Sequence, residues 1–229
     1  MKNNGKNIDG YEALIRWNHP TEGFMTPYSF IHEAEASGEI INIGQWVIEQ
    51  ACLDGVILMN KGQLPGNMSV NLSAKQLIDN GIIEVIESAL AISGLPAEKL
   101  ELEITETSLV DDTENTFKLL TQLKLLGISI ALDDFGTGYS SLSYLTKFPI
   151  DTLKIDCSII WDASKNKDSK LVLENIYALA HSLNMKVVSE GIETKEHEMM
   201  LEKYPNDLLQ GYLYSKPMDL EKIIALKVD

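Results

Sequence analysis

The stretch from Asp133 to Ser141, DDFGTGYSS, carries the densest chemistry in the chain. Two adjacent carboxylates follow an apolar run, and each raises the other's pKa unless a cation lies between them. A divalent metal is the simplest resolution. Gly136 and Gly138 admit backbone conformations closed to other residues, so the chain can turn tightly and leave Asp133 and Asp134 at the mouth of the element they end. Taken alone, an Asp-Asp-x-Gly sequence also reads as a surface turn capping a helix that begins near Ser140. The remaining ionic residues decide between the two.

In 229 residues, 34 Asp and Glu oppose 19 Lys and Arg, for a net charge of -15. That balance argues against binding polymeric nucleic acid or anionic membrane, both of which need basic faces. An anionic substrate would need local positive help. The four histidines are scattered without HExxH spacing, leaving carboxylates and amides as metal ligands; such hard ligands suit Mg²⁺ or Mn²⁺. Cys52 and Cys157 form no disulfide framework, which points to free thiols in a reducing compartment. With no signal-like apolar segment at the start and no run of membrane-spanning length, the expected location is the cytoplasm.

The elements that must position these groups alternate. Residues 8–17, IDGYEALIRW, read as a strand with Glu12, Leu14 and Arg16 on one side and Tyr11, Ala13, Ile15 and Trp17 on the other. Thr26 and Pro27 open a short helix that Gly38 ends, a longer helix fits 44–61, and Ser73 with Gln76 forms a capping box after a strand at 67–72. Further strands fall near 100–105, 128–133, 152–156, 186–190 and 208–211. Helices fall near 113–126, from Ser140, at 169–183 and 194–204, and from Asp219. This alternation predicts a parallel sheet with helices outside, and an α/β barrel is the usual single-domain architecture near this length. The count is seven strands where a closed (β/α)8 barrel has eight. Either a strand is hidden, or the chain begins after the first one, or the barrel is open at one side. No linker or repeat divides residues 1–229, which read as one domain.

Alternate strand residues face opposite sides. Ser129, Ala131 and Asp133 therefore share one face against Ile128, Ile130 and Leu132. The same sorting turns Ser69 with Asn71, Glu101 with Glu103, Thr152 with Lys154 and Asp156, and Val188 with Glu190 inward; Glu12 opposes Tyr11 and Ala13. Ionic or metal-type groups thus gather near the C-terminal ends of five successive strands, where barrel enzymes build active sites. Converging acids with one lysine in an unsolvated interior are best explained by bound cations.

EALIRW from Glu12, NLSAKQL from Asn71, ELEITET from Glu101, DDFGTGYSSLSYL from Asp133, LKIDCS from Leu153, VVSEGIET from Val187 and QGYLYSKP from Gln210 resemble the EAL domain family, over nearly the whole chain and in the family's order. That family consists of cyclic di-GMP phosphodiesterases and inactive relatives. The resemblance implies a modified (β/α)8 TIM-type barrel that hydrolyses cyclic di-GMP to linear pGpG with two Mg²⁺ or Mn²⁺ ions. By position it implies that Glu12, Asn71, Glu103 and Asp133 ligate metal, Asp133 bridging to a second ion near Asp134. Lys154 would hold the attacking water, assisted by Asp156, and Glu190 would be the general base or a second-metal ligand. Arg16, Leu14, Glu193 and Gln210 would line the substrate pocket, Arg16 gripping phosphate. Glu106 would steady the loop after Asp134, and a homodimer would form through the helix after Ser140.

The family's helix and strand before EAL, with its Gln-Pro-Ile-like sequence, have no counterpart ahead of Glu12, so the barrel is expected to be shortened at its N-terminus and to expose a sheet edge. Cys157 stands where the family has a basic or amide residue, and Ser189 where it commonly has alanine. The complete ligand set favours an active enzyme; the alternative is an inactive module that binds cyclic di-GMP or a protein partner.

Overall fold

The structure is a computed structural model and describes residues 1–3, 7–79, 81–109, 113–137 and 142–226. In chain order it opens with β1 (Lys2–Asn3), β2 (Asn7–Ile8) and β3 (Tyr11–Ala13), then a ribbon of β4 (Trp17–His19) and β5 (Gly23–Met25). Helices α1 (Ile31–Ser37) and α2 (Ile40–Asn60) lead to β6 (Met68–Leu72), and α3 (Ala74–Leu77) and α4 (Ile82–Ser93) to β7 (Leu100–Thr105). Then follow α5 (Thr113–Leu125), β8 (Ser129–Phe135), α6 (Leu142–Lys147), β9 (Thr152–Ile155), α7 (Cys157–Ala163) and α8 (Lys167–Ser182). The chain ends with β10 (Lys186–Ser189), α9 (Lys195–Leu201), β11 (Leu208–Leu209) and α10 (Leu220–Ala225).

Seven strands, β3 and β6 to β11 without interruption, pair in parallel and curl into an incomplete TIM-like barrel. Their outward aliphatics, among them Val70, Leu102, Ile104, Ile130, Leu153 and Val187, are wholly buried under the helices. At roughly 1.5–3 kcal/mol for each fully buried side chain, this layer supplies the main drive for closure. Ser73 forms the expected capping box with Gln76 at the start of α3, and Gly38 ends α1 in the left-handed conformation at φ 86.

Four expectations need correction. The edge beyond the last parallel strand is not bare, because β1 pairs antiparallel with β11, Lys2 opposite Leu209 and Asn3 opposite Leu208, and turns back through β2. The Met1 ammonium donates to the Gly10 carbonyl at 3.0 Å and helps hold this hairpin against the start of β3. Residues 8–17 are not one strand: Trp17 leaves the sheet to pair with Met25, and its partly exposed ring packs edge-on to His19 and Phe30. Thr26 makes no side-chain cap, and Pro27 opens only a single 3₁₀ turn before α1. β9 stops at Ile155, because Asp156 caps α7, a helix the alternation did not reveal. The helix expected from Ser140 begins at Leu142 among the described residues; Gly138 to Ser141 lie outside them.

One layer of the barrel interior registers the strands. Glu101 accepts from the Ser69 hydroxyl at 2.9 Å and from the Thr152 hydroxyl at 2.8 Å, joining β6, β7 and β9. Thr152 reaches Glu101 past β8, whose Ala131 pairs with Thr152 and with Glu103 and is too small to obstruct it. All three polar side chains are buried. Replacing Thr152 by Val keeps the shape and removes one donor, leaving a buried carboxylate oxygen unsatisfied; the expected loss is about 1–3 kcal/mol in urea denaturation. A variant as stable as the parent would show that the tie carries no weight.

Candidate active site

Two residues further along each strand, the same inward face carries the site. Lys154, on β9 above Thr152, is 1% exposed and its ammonium lies 2.6 Å from Glu103, 2.9 Å from Glu190, 3.2 Å from Asp133 and 3.8 Å from Glu12. Glu103 comes from β7, Asp133 from β8, Glu12 from β3, and Glu190 directly follows β10. The Glu12 carboxylate is fixed from both sides, accepting from the Asn71 amide at 2.8 Å and the Gln210 amide at 2.6 Å. Four of the carboxylates singled out in the sequence therefore meet around the Lys154 ammonium, and Asn71 and Gln210, the latter from just beyond β11, join them through Glu12.

Four carboxylates against one ammonium make an anionic chamber, and its protonation behaviour follows. Burial alone would lower the Lys154 pKa, but Glu103, Glu12, Glu190 and Asp133 together hold it well above its ordinary value. Burial pushes Glu103 well above the carboxylate range, with Glu12 and Asp133 adding to the rise and Lys154 opposing it. Burial likewise lifts Glu190 to about 7 against the pull of Lys154, with Asp133 adding to the rise. Glu12 is also penalised by burial, yet Lys154 and the two amide donors bring it below its usual value.

Asp134 reaches the chamber by a local distortion. The β8–β9 register shifts between Leu132 and Phe135, and Asp134 adopts φ 55, a conformation rarely taken by non-glycine residues. Strict alternation would send Asp134 to the face opposite Asp133; the irregularity re-aims it. Oxygens of Asp133, Asp134 and Glu190 then lie within 4.8 Å of one another, a spacing that suits a metal ion. Burial raises the Asp134 pKa, and Asp133 and Asp156 raise it further. Two buried acceptors, Glu103 Oε1 and Gln210 Oε1, have no hydrogen-bond donor. Oxygen-only donors, surplus negative charge and unsatisfied acceptors together fit a hard divalent cation.

The other sequence candidates stand further from this cluster. Asp156 spends one oxygen on the Ser158 amide at 2.9 Å as the cap of α7, and although burial raises its pKa, the bonds from Ser158 lower it overall. Arg16 donates to the Ile15 carbonyl at 2.7 Å, Leu14 is 40% exposed, and Glu193 is exposed beyond β10; none of the three hydrogen-bonds or ion-pairs with the Lys154 cluster. Glu106 is buried in the 3₁₀ turn Glu106–Leu109. Residues 138–141 of the loop it was expected to steady are outside the described set. Ser189 has a structural use, pairing its hydroxyl with the buried Tyr177 hydroxyl at 2.6 Å.

The chain is similar in sequence and fold to known proteins. The family model of the EAL domain matches residues 1–217. The bifunctional diguanylate cyclase/cyclic di-GMP phosphodiesterase MucR of Pseudomonas aeruginosa is 39% identical over 216 residues, covering 94% of this chain and 32% of MucR. Cyclic di-GMP phosphodiesterase NbdA of the same organism is 42% identical over 209 residues, covering 91% of this chain and 27% of NbdA. The chain thus spans about a third or less of the length of these relatives. Among solved structures, the PaMucR phosphodiesterase in complex with c-di-GMP superposes with a TM-score of 0.91 at 38% identity, covering 96% of this chain and 89% of that one. The Xanthomonas citri FimX EAL domain in complex with c-diGMP, 22% identical with a TM-score of 0.84 and covering 94% of this chain and 85% of that one, matches in fold. With the family model matched over residues 1–217, relatives about 40% identical and the same fold, this chain belongs to the EAL domain family.

Proposed function

We propose that this chain hydrolyses one phosphodiester of cyclic di-GMP to give linear pGpG. The observation that carries the reading is the convergence of Glu12, Glu103, Asp133 and Glu190 on the buried Lys154 ammonium at the C-terminal mouth of the barrel. The names of MucR and NbdA supply the substrate.

Glu12, Asn71, Glu103, Asp133 and Asp134 would hold Mg²⁺ or Mn²⁺. Such ions, when bound, offset charge on the attacked phosphate and make water a stronger nucleophile at neutral pH. Lys154 holds Glu103, Asp133 and Glu190 in a fixed arrangement, and an N–H released from one of these carboxylates would hold the attacking water. Asp156, at the end of the same strand, assists in placing that water. Glu190 either accepts the proton released as the water attacks phosphorus or completes the ligand set. Arg16 uses one N–H on Ile15 and offers the rest of its planar fork to a substrate phosphate. Leu14, Glu193 and Gln210 line the approach, and Glu106 supports the loop after Asp134. The two free cysteines and the absence, among the described residues, of a helix able to cross a membrane accord with work in the cytoplasm. A homodimer through α6 and its neighbours is the proposed assembly.

Incubation with cyclic di-GMP and Mn²⁺ is expected to release pGpG, seen by chromatography, and EDTA to stop it. Tight nucleotide binding without product would instead make the chain a receptor. Glu12→Ala and Asp133→Ala should each lower kcat at least about a thousandfold, about 4 kcal/mol of barrier, while circular dichroism reports a folded chain. Retention of near-parental turnover would remove these residues from the machinery. Sedimentation at micromolar concentration should give a dimer; a strict monomer would refute the proposed assembly.

A further inference from the structure

The three oxygens grouped for a metal come from two strands that do not pair with each other, each running on into a loop: Asp133 and Asp134 from the end of β8, and Glu190 from just after β10. Between them runs β9, and after it α7. Helix α7 packs tightly against both. At Gly136, with φ +98, an added Cβ would fall 2.2 Å from Ile159 Cδ1. At Gly191, with φ +65, it would fall 2.2 Å from Cys157 Cβ and 3.2 Å from Trp161 Nε1. Both loops therefore reach their positions by taking left-handed glycines directly onto the surface of one helix.

The loop after β10 has one further tie to that helix. Glu190 N–H donates to the Ile155 carbonyl and Ile192 N–H to the Gln210 carbonyl, both at 3.0 Å, so neighbouring strands hold its two flanks. Its middle is held by a side chain: the Trp161 indole N–H donates to the Gly191 carbonyl at 2.8 Å. The Gly191 carbonyl lies one residue past Glu190, on a backbone that cannot carry a Cβ.

We infer that Trp161 is a positioning residue for Glu190. It pins the loop after β10 to the helix on which the loop after β8 also rests, and so sets where Glu190 stands relative to Asp133 and Asp134. The alternative is that the indole only fills space between α7 and the loop. In that case a ring of the same shape without the N–H would serve equally well.

The test compares Trp161→Phe with replacement of Trp161 by β-(3-benzothienyl)alanine, which keeps the bicyclic shape and puts sulfur in place of the N–H. In metal-free protein, hydrogen exchange of peptides spanning 189–193 should quicken about fivefold in both, as expected for loss of one neutral hydrogen bond, with peptides from β7 unchanged. With Mn²⁺ and cyclic di-GMP, kcat should fall about tenfold to a hundredfold, the scale of a misplaced reacting group, with KM within about twofold of the parent. Unchanged exchange at 189–193, uniform acceleration across the strands, or kcat within about twofold of the parent in either replacement would each overturn the inference. The kinetic arm rests on the phosphodiesterase reading, whereas the exchange arm does not. If the parent chain makes no pGpG, that reading fails and exchange alone decides the role of Trp161.

Discussion

Taking an ammonium out of water costs several kcal/mol even after the protein relaxes, and a lone buried lysine would release its proton instead of bearing that penalty. Lys154 keeps its proton because four carboxylates face it from four directions, three of them at hydrogen-bonding distance. The dependence runs the other way as well. Glu103, almost fully buried beside Glu12 and Asp133, is compensated by the positive charge of Lys154. Neither sign of charge could occupy this interior without the other, and that mutual requirement sets what the strands must deliver.

A parallel barrel delivers it by register. Pairing both Glu103 and Thr152 with Ala131 sets Asp133 and Lys154 one pleat beyond Glu103, close enough for one ammonium to reach both carboxylates, although the three are separated in sequence by whole strand–helix units. The buried Ser69–Glu101–Thr152 tie lies one pleat below, and each of its members is followed two residues later by Asn71, Glu103 or Lys154. A slip of one residue in any strand would turn its site residue toward the helices. Hydroxyl and carboxylate groups in the lower layer therefore help specify the geometry of the ionic layer above, and Ala131 leaves the space through which Thr152 reaches.

Period-two sorting was sufficient to place Glu103, Asp133 and Lys154 on one inward face and to identify Ser69, Glu101 and Thr152 beneath them, because those strands keep a clean alternation with buried aliphatics opposite. What escaped it is irregular. The strands β1 and β2, which extend the sheet beyond β11, carry only Ile8 as an apolar residue and so show no alternation to mark them, and their pairing is antiparallel beside an otherwise parallel barrel. Trp17 carries the signature of a continuing strand but turns out to pack on His19 and Phe30. Helix α7 has only seven residues and follows its strand without a linker, so Asp156 reads equally well as the last strand residue and as the cap it is. The roles of Arg16, Leu14 and Glu193 rest on resemblance, since among the described residues no hydrogen bond or ion pair joins them to Lys154.

The irregular pieces are also those that bring in the oxygens the regular strands cannot. Alternation allows each strand one inward group per layer, so a second carboxylate beside Asp133 requires the register shift and the left-handed backbone at Asp134. Such a conformation costs on the order of 1–3 kcal/mol and persists only where its surroundings over-determine it. Here the surroundings include the Asp134 N–H bonded to the Asp133 carboxylate at 2.9 Å, the Thr137 hydroxyl bonded to the Asp134 carbonyl at 3.0 Å, and Gly136 pressed onto Ile159. Helix α7 thus stands in the place where a strand-end site of regular geometry would have a simple loop, and it supports the strained turn on one side and the Glu190 loop on the other. Regular strands carry the charge pairing and helix α7 supports the turn that brings in the added acid, which is why changes in α7 are expected to act on the site's geometry before they act on the fold.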